Sequence, residues 1–152
     1  YPMEPEPQPI WHRAVTVDEL NDWGNRDTLG ATLGMRFSAI GPDWIEMTMP
    51  VEPRVHQPMG LLHGGASVAL AETLGSVGGW LTLDPEQNVA VGLEINANHI
   101  RGVRSGVVTG RASPLHIGGT TQVWEIRIRD ERDRLVCVSR ITLSILSNRP
   151  TN

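Results

Sequence analysis

The run from His63 to Leu81, HGGASVALAETLGSVGGWL, constrains the fold more than any other part of the chain. It has helical length and is apolar nearly all round, so as a helix it needs cover on most sides. It follows a loop, EPRVHQPMGLL, marked by two prolines and a glycine, and it ends near DPEQN. Beyond it the chain is almost all strand. VAVGLEINANHI alternates Val89, Val91, Leu93, Ile95 and Ala97, and GVVTGRASPL follows more weakly. TQVWEIRIRD sets Trp124, Ile126 and Ile128 against Glu125, Arg127 and Arg129. LVCVSRITLSIL alternates Leu135, Cys137, Ser139, Ile141, Leu143 and Ile145, and the polar link DERDR predicts an antiparallel hairpin between these last two. One long helix followed by consecutive strands is not βαβ alternation. It predicts an α+β architecture, a strongly curved antiparallel sheet wrapped around a long central helix.

Before the helix, TVDELNDWGN carries a capping box, Thr16 with Glu19, and Gly24 as a stop. Two strands follow, LGMRFSAI and DWIEMTMPV, the second with Ile45, Met47, Met49 and Val51 on one face. The 152 residues suit one domain, expected over residues 11–148, behind a loose proline-rich tail over residues 1–10.

Net charge −4, with arginines scattered and no lysine, argues against a nucleic-acid partner. No apolar stretch is long enough to span a membrane, and the acidic, proline-rich start is unlike a secretory leader. A single cysteine, Cys137, excludes an internal disulfide framework and a cysteine-based zinc site. These features predict a cytoplasmic protein. The chain starts at Tyr1 rather than Met, which leaves a tag remnant or a trimmed start open.

The chemistry lies in the helix itself. Its first N–H groups have no internal partner and carry partial positive charge. Gly64 and Gly65 leave that end bare, so an oxyanion could approach it. Glu72 is the only charged side chain between Arg54 and Asp84, and it is expected to be buried. A carboxylate held from water is poised for general-base work. The structural alternative pairs it with Arg101, Arg104 or Arg140. Gly64 and Glu72 are eight residues apart, about 12 Å along a helix. Attack on a carbonyl needs about 3 Å. One subunit therefore cannot easily use both on one carbonyl, but two antiparallel copies of the helix across a two-fold axis can. Gly75, Gly78 and Gly79 would suit a place where two helices or a ligand come close. Ser76 shares the face of Glu72 and either meets the same ligand or bonds back to its own helix.

Gln57-Pro58-Met59-Gly60-Leu61-Leu62-His63-Gly64-Gly65-Ala66-Ser67, then Ala71-Glu72, then Val91 to His99, resemble the hotdog-fold acyl-CoA thioesterases. The likeness runs from about Leu33 to Leu146 and is to the Glu-dependent branch acting on dihydroxynaphthoyl- and hydroxybenzoyl-CoA. It implies a sheet wrapped around the helix and dimers with shared sites that pair into tetramers. It implies hydrolysis of an acyl-CoA, expected to be aromatic, with Glu72 as nucleophile or general base and the Gly64 N–H polarising the carbonyl. Gln57 resembles the glutamine that places the carbonyl or the water, and His63 the histidine beside it. Ser76, Val77 and Gly92 fall among the substrate contacts. His99, Ile100, Arg101, Gly102 and Arg104, with His116, Ile117, Gly118 and Gly119, match the parts that hold coenzyme A. Thr120 and Thr121 depart from the family, where a basic residue is common. The resemblance implies no cofactor beyond the coenzyme A of the substrate, and the five histidines fall in no metal-ligand spacing. The alternatives are a medium-chain or carrier-protein thioesterase, an enoyl-thioester hydratase pairing His63 or His99 with Glu72, and an acyl-CoA-binding module without catalysis.

Overall fold

A computed structural model describes residues 3–24 and 26–148. Its elements are α1 (Val17–Gly24), α2 (Leu29–Thr32), β1 (Arg36–Ile40), β2 (Ile45–Pro50), a single 3₁₀ turn Pro53–Val55, α3 (Gly64–Leu81), β3 (Asn88–His99), β4 (Val107–Ile117), β5 (Thr121–Arg129) and β6 (Leu135–Ser147). The six strands form one antiparallel sheet in the order β1-β2-β4-β5-β6-β3, and α3 packs against β2 through β6. This is the α+β antiparallel sheet with a long helix that the helix and the strand run predict, and the hotdog architecture that the resemblance implies. No helix among the described residues is long and apolar enough to cross a membrane.

The strand alternation places the core. Ile45, Met49, Trp124, Ile126, Ile128, Ile141 and Leu143 are buried beneath Leu70 and Leu74 of α3. Each fully buried aliphatic side chain contributes roughly 1.5–3 kcal/mol. The late glycines of α3 serve the sheet, not a second helix or a ligand as their spacing suggests. A Cβ at Gly75 would overlap Ile141, one at Gly79 would overlap Leu143, and one at Gly78 would come 3.0 Å from the Trp124 ring. The glycines cut a notch that lets the helix sit on large side chains of β5 and β6. Beneath the notch, the Trp124 indole donates to Gln122 at 2.9 Å and Gln122 donates to Thr82 at 2.9 Å, so the buried amide is satisfied.

Strand β3 departs from the simple alternation. Its pairing with β6 slips between Gly92 and Glu94, a bulge that turns Val91 and Leu93 outward, 42% and 63% exposed. A bulge adds a residue to one strand and resets which face follows. The β5–β6 hairpin forms as expected, with Asp133 in the left-handed region at φ 60. Asp130 accepts from Arg132 N, Arg134 N and the Arg134 guanidinium, and that guanidinium chiefly holds its carboxyl below the usual range.

The capping box at α1 is half realised. Thr16 Oγ1 accepts from Glu19 N at 3.1 Å, while the Glu19 carboxylate pairs with Arg13. Asn21 of α1 both donates to and accepts from the Phe37 backbone, which pins the helix to edge strand β1. The four residues of α2, capped by Thr28, are too few to show a helical period. Of the tail expected over residues 1–10, residues 1 and 2 lie outside the described residues, and residues 3–9 are exposed without regular structure. Residues 10–12 dock. Ile10 N donates to Pro42 O, His12 N donates to Leu81 O, and Trp11 stacks on Trp124 at 6.3 Å.

Candidate active site

The loop before α3 is closed by its own backbone. Gln57 N donates to Leu61 O and Gly60 N to Gln57 O, with Gly60 at φ 77. Gln57 Oε1 accepts from Met59 N, which leaves its amide nitrogen to donate outward. The loop is also fastened to the segment after β3, because Leu62 N donates to Val103 O at 2.7 Å and a His56 ring nitrogen donates to Arg104 O at 2.9 Å. His63 is the helix cap. Its Nδ1 accepts from Gly65 N at 2.7 Å, so a neutral ring carries its proton on Nε2. That bond uses the Gly65 N–H. The Gly64 N–H has no acceptor among the described residues. His99, the last residue of β3, lies directly over Gly64, and a Cβ there would stand 2.8 Å from His99 Nε2. Thirty-five residues of sequence separate the two, and no local pattern announces the contact.

Two turns along α3 lies the second group. Glu72 is half-buried, not buried. The middle of the sheet covers the opposite side of α3, and the helix face that carries Glu72, Ser76 and Trp80 runs along the edge strand β3 and is only partly covered. No arginine pairs with Glu72 among the described residues, and Arg101, Arg104 and Arg140 are all exposed elsewhere. Among the described residues its one hydrogen-bond partner is Ser76, whose hydroxyl donates to Oε1 at 3.4 Å. Ser76 thus turns to Glu72 and not to its own helix backbone, unlike Thr73, which bonds back to Ala69 O. Gly92 makes room on the other side, since a Cβ there would lie 2.9 Å from Glu72 Oε1. Val77 is buried and faces a cavity of about 400 Å³ walled by α1, α2, β1 and β2.

Ile100, Arg101, Gly102 and Arg104 follow His99. The N–H groups of Ile100 and Arg101 both donate to Val136 O, and Gly102 lies against Leu61. Arg101 and Arg104 are exposed and free of ion pairs among the described residues, which suits phosphate oxygens. His116 and Ile117 end β4, and Gly118 and Gly119 enter the β4–β5 turn, with Gly118 N donating to Thr121 O. This turn does not join the others within one chain. Thr121 pairs with Ser144 and His99 with Cys137, so the two levels are seven residues apart on β6, about 23 Å. Trp23 and Trp80 adjoin Ser76 and are additions to the residues read from sequence. Trp80 had a usable signal, eight residues after Glu72 on the same helix face, whereas Trp23 on α1 had none. Cys137 is buried, and burial pushes its thiol up, as befits a core residue.

Residues 59–137 match the Thioesterase superfamily. The chain is 55% identical over 137 residues to the 1,4-dihydroxy-2-naphthoyl-CoA hydrolase of Escherichia coli, covering 90% of this chain and 99% of that protein. It is 50% identical over 137 residues to the proofreading thioesterase EntH of Cronobacter turicensis, covering 90% and 98%. A solved thioesterase structure from Haemophilus influenzae superposes with a TM-score of 0.89 at 50% identity, over 94% of this chain and 99% of that one.

Proposed function

We propose that this chain, which belongs to the thioesterase superfamily and is a thioester hydrolase, acts on an aromatic acyl-coenzyme A through Glu72 and the Gly64 N–H. The observation that carries the role of Glu72 is its setting: a carboxylate with no cationic partner, steadied by Ser76 in space that Gly92 leaves open. The aromatic substrate draws on the likeness to the naphthoyl-CoA hydrolase.

In the proposed reaction the thioester carbonyl oxygen accepts from the Gly64 N–H, which carries the partial charge of the helix end. Glu72 either attacks the carbonyl carbon or takes a proton from the water that does. The tetrahedral intermediate then expels the coenzyme A thiolate as the C–S bond breaks: where water attacked, the acid leaves and the proton held by Glu72 passes to the thiolate; where Glu72 attacked, water must first hydrolyse the acyl-Glu72 anhydride, restoring the carboxylate and releasing the acid. Gln57 places the carbonyl or the water, and His63 holds the helix end in shape. No metal or further cofactor enters these steps.

The 12 Å or so along α3 between Gly64 and Glu72 calls for a second subunit, with the helices antiparallel about a two-fold axis. The free edge of β3 supports this reading. His99 lies on Gly64 and Gly92 lies on Glu72. A two-fold that sets Gly64 against the partner's Glu72 therefore sets His99 against the partner's Gly92. That register centres the pairing of β3 with itself between Ile95 and Asn96. It would cover the outward Val91 and Leu93. It would also bring the partner's turn around His116–Gly119 to the same end of the joint sheet as Ile100–Arg104, where coenzyme A would lie. Pairing of such dimers into a tetramer follows the family.

The test is thiol release from aromatic and aliphatic acyl-CoAs by the wild type and by Glu72→Gln, with release from enzyme alone subtracted. Wild-type turnover is expected to be fastest on aromatic thioesters and to fall by roughly 10²–10⁴ in the variant, the range for a lost general base. Near-normal turnover by a folded Glu72→Gln protein would overturn the assignment. Release confined to carrier-protein thioesters would replace the substrate and keep the mechanism.

A further inference from the structure

Two indoles stand half-exposed on the partly covered side of α3. Trp80 is 45% exposed and Trp23, at the end of α1, is 47% exposed. Their rings stack at 5.9 Å with an interplanar angle of 22°. Exposed stacked indoles are costly unless a ligand or partner uses their faces. Together with Ser76, Val77 and Ala90 they line a shallow pocket of about 210 Å³. Ser76 belongs to this pocket and also donates to Glu72, so the pocket begins where the proposed catalytic carboxylate ends. Along the helix axis Ser76 lies about 6 Å beyond Glu72 and Trp80 about 12 Å beyond it. An acyl group whose carbonyl sits at the carboxylate would run past the Ser76 hydroxyl onto the indoles. The lining is otherwise apolar, and among the described residues no charged side chain enters it.

We infer that the Trp23–Trp80 pair is the specificity surface for the acyl group and selects flat aryl groups over linear chains. This rests on the thioesterase reading of Glu72. A planar ring gains stacking on indole faces that a flexible chain does not gain, and it loses less conformational freedom on docking. Because Trp23 comes from α1, selection is contributed by a helix outside the HGG-to-Glu segment. Its position is set by the Asn21 clasp on the Phe37 backbone.

The experiment compares kcat/KM on naphthoyl-CoA and hexanoyl-CoA for the wild type, Trp23→Leu and Trp80→Leu. It adds naphthoyl-CoA quenching of indole emission in a Glu72→Gln background, with and without Trp23→Phe or Trp80→Phe. The aromatic-to-aliphatic ratio of kcat/KM is expected to fall at least about tenfold in each Leu variant, and quenching is expected to weaken in each Phe variant. An unchanged ratio in folded Leu variants overturns the inference. If the Leu variants do not fold, undiminished quenching in both Phe variants overturns it. A wild type that is quenched yet turns over no acyl-CoA upholds the aryl surface and sinks the hydrolytic reading instead.

Discussion

Gly92→Ala tests whether the position of Glu72 matters to the reaction separately from the fold. A Cβ at residue 92 would lie 2.9 Å from Glu72 Oε1, whereas ordinary contact begins near 3.4 Å. The next neighbour, Ile141 Cδ1, is 4.0 Å away and need not move. Gly92 does not have positive φ, so alanine can take its backbone conformation. The strain therefore falls on the tip of one flexible side chain, which must shift by about half an ångström. A displacement near 1 Å of a reacting group costs about 10²-fold in rate, so half of that displacement predicts a loss of roughly tenfold in kcat, or about 1.4 kcal/mol of barrier. Stability should hold, because replacing a strand glycine by alanine returns roughly 0.5–1 kcal/mol of backbone entropy. The assay is steady-state thiol release beside a thermal melt. A kcat equal to wild type would refute the placement of Glu72 at the reacting centre. A melt lowered by many degrees would refute the claim that only the carboxylate tip yields.

Three other outcomes follow from the same geometry. Inactive Glu72→Gln mixed with inactive Gly64→Pro should regain partial activity through hybrid dimers; with folding and subunit exchange shown, no rescue would mean an unshared site. Proline is tolerated at a first helical residue, so loss of the N–H is its main effect beyond pressing on His99. Gly79→Ala should destabilise by about 1–3 kcal/mol, read as a lower denaturant midpoint, because its methyl would overlap Leu143 in a close-packed core. Cys137 should resist a thiol reagent in the folded protein and react once it is unfolded, since burial both shields the thiol and raises its pKa; labelling of native protein at the unfolded rate would contradict its burial.

The parts legible in the sequence are those governed by short periods. Strands β2 and β5, and β6 from Cys137 onward, alternate without interruption, and their inward residues are buried. The bounds of α3 were written by His63, the glycines and the following Asp-Pro turn. Strand β3 misled at Val91 and Leu93 because the period-2 pattern continues through a bulge that leaves no compositional mark except a glycine. Glu72 looked buried because its neighbours in sequence are apolar, yet those neighbours face the middle of the sheet and it lies beside Gly92 on the edge strand β3, half-buried. The bare helix end and the acid eight residues on could be read directly. The His99 approach to Gly64, the Gly92 space beside Glu72 and the stacking of Trp23 on Trp80 are tertiary contacts between distant segments, which spacing along the chain cannot encode.

The docking of Trp11 against Trp124 sets an order of events during synthesis. The two residues are 113 positions apart. At 5–20 residues per second, the ribosome needs roughly 6–23 s after making one to make the other. Ile10, Trp11 and His12 are each made before their partners, which lie on the β1–β2 turn, in the middle of β5 and at the end of α3, and Trp11 waits longest. Through that interval a bulky indole waits beside a hydrophilic stretch rich in proline and glutamate, which keeps it in water. Docking of Trp11 then reports the arrival of β5 in the sheet, ahead of β6, and its emission gives a natural clock for that late step of folding on the nascent chain.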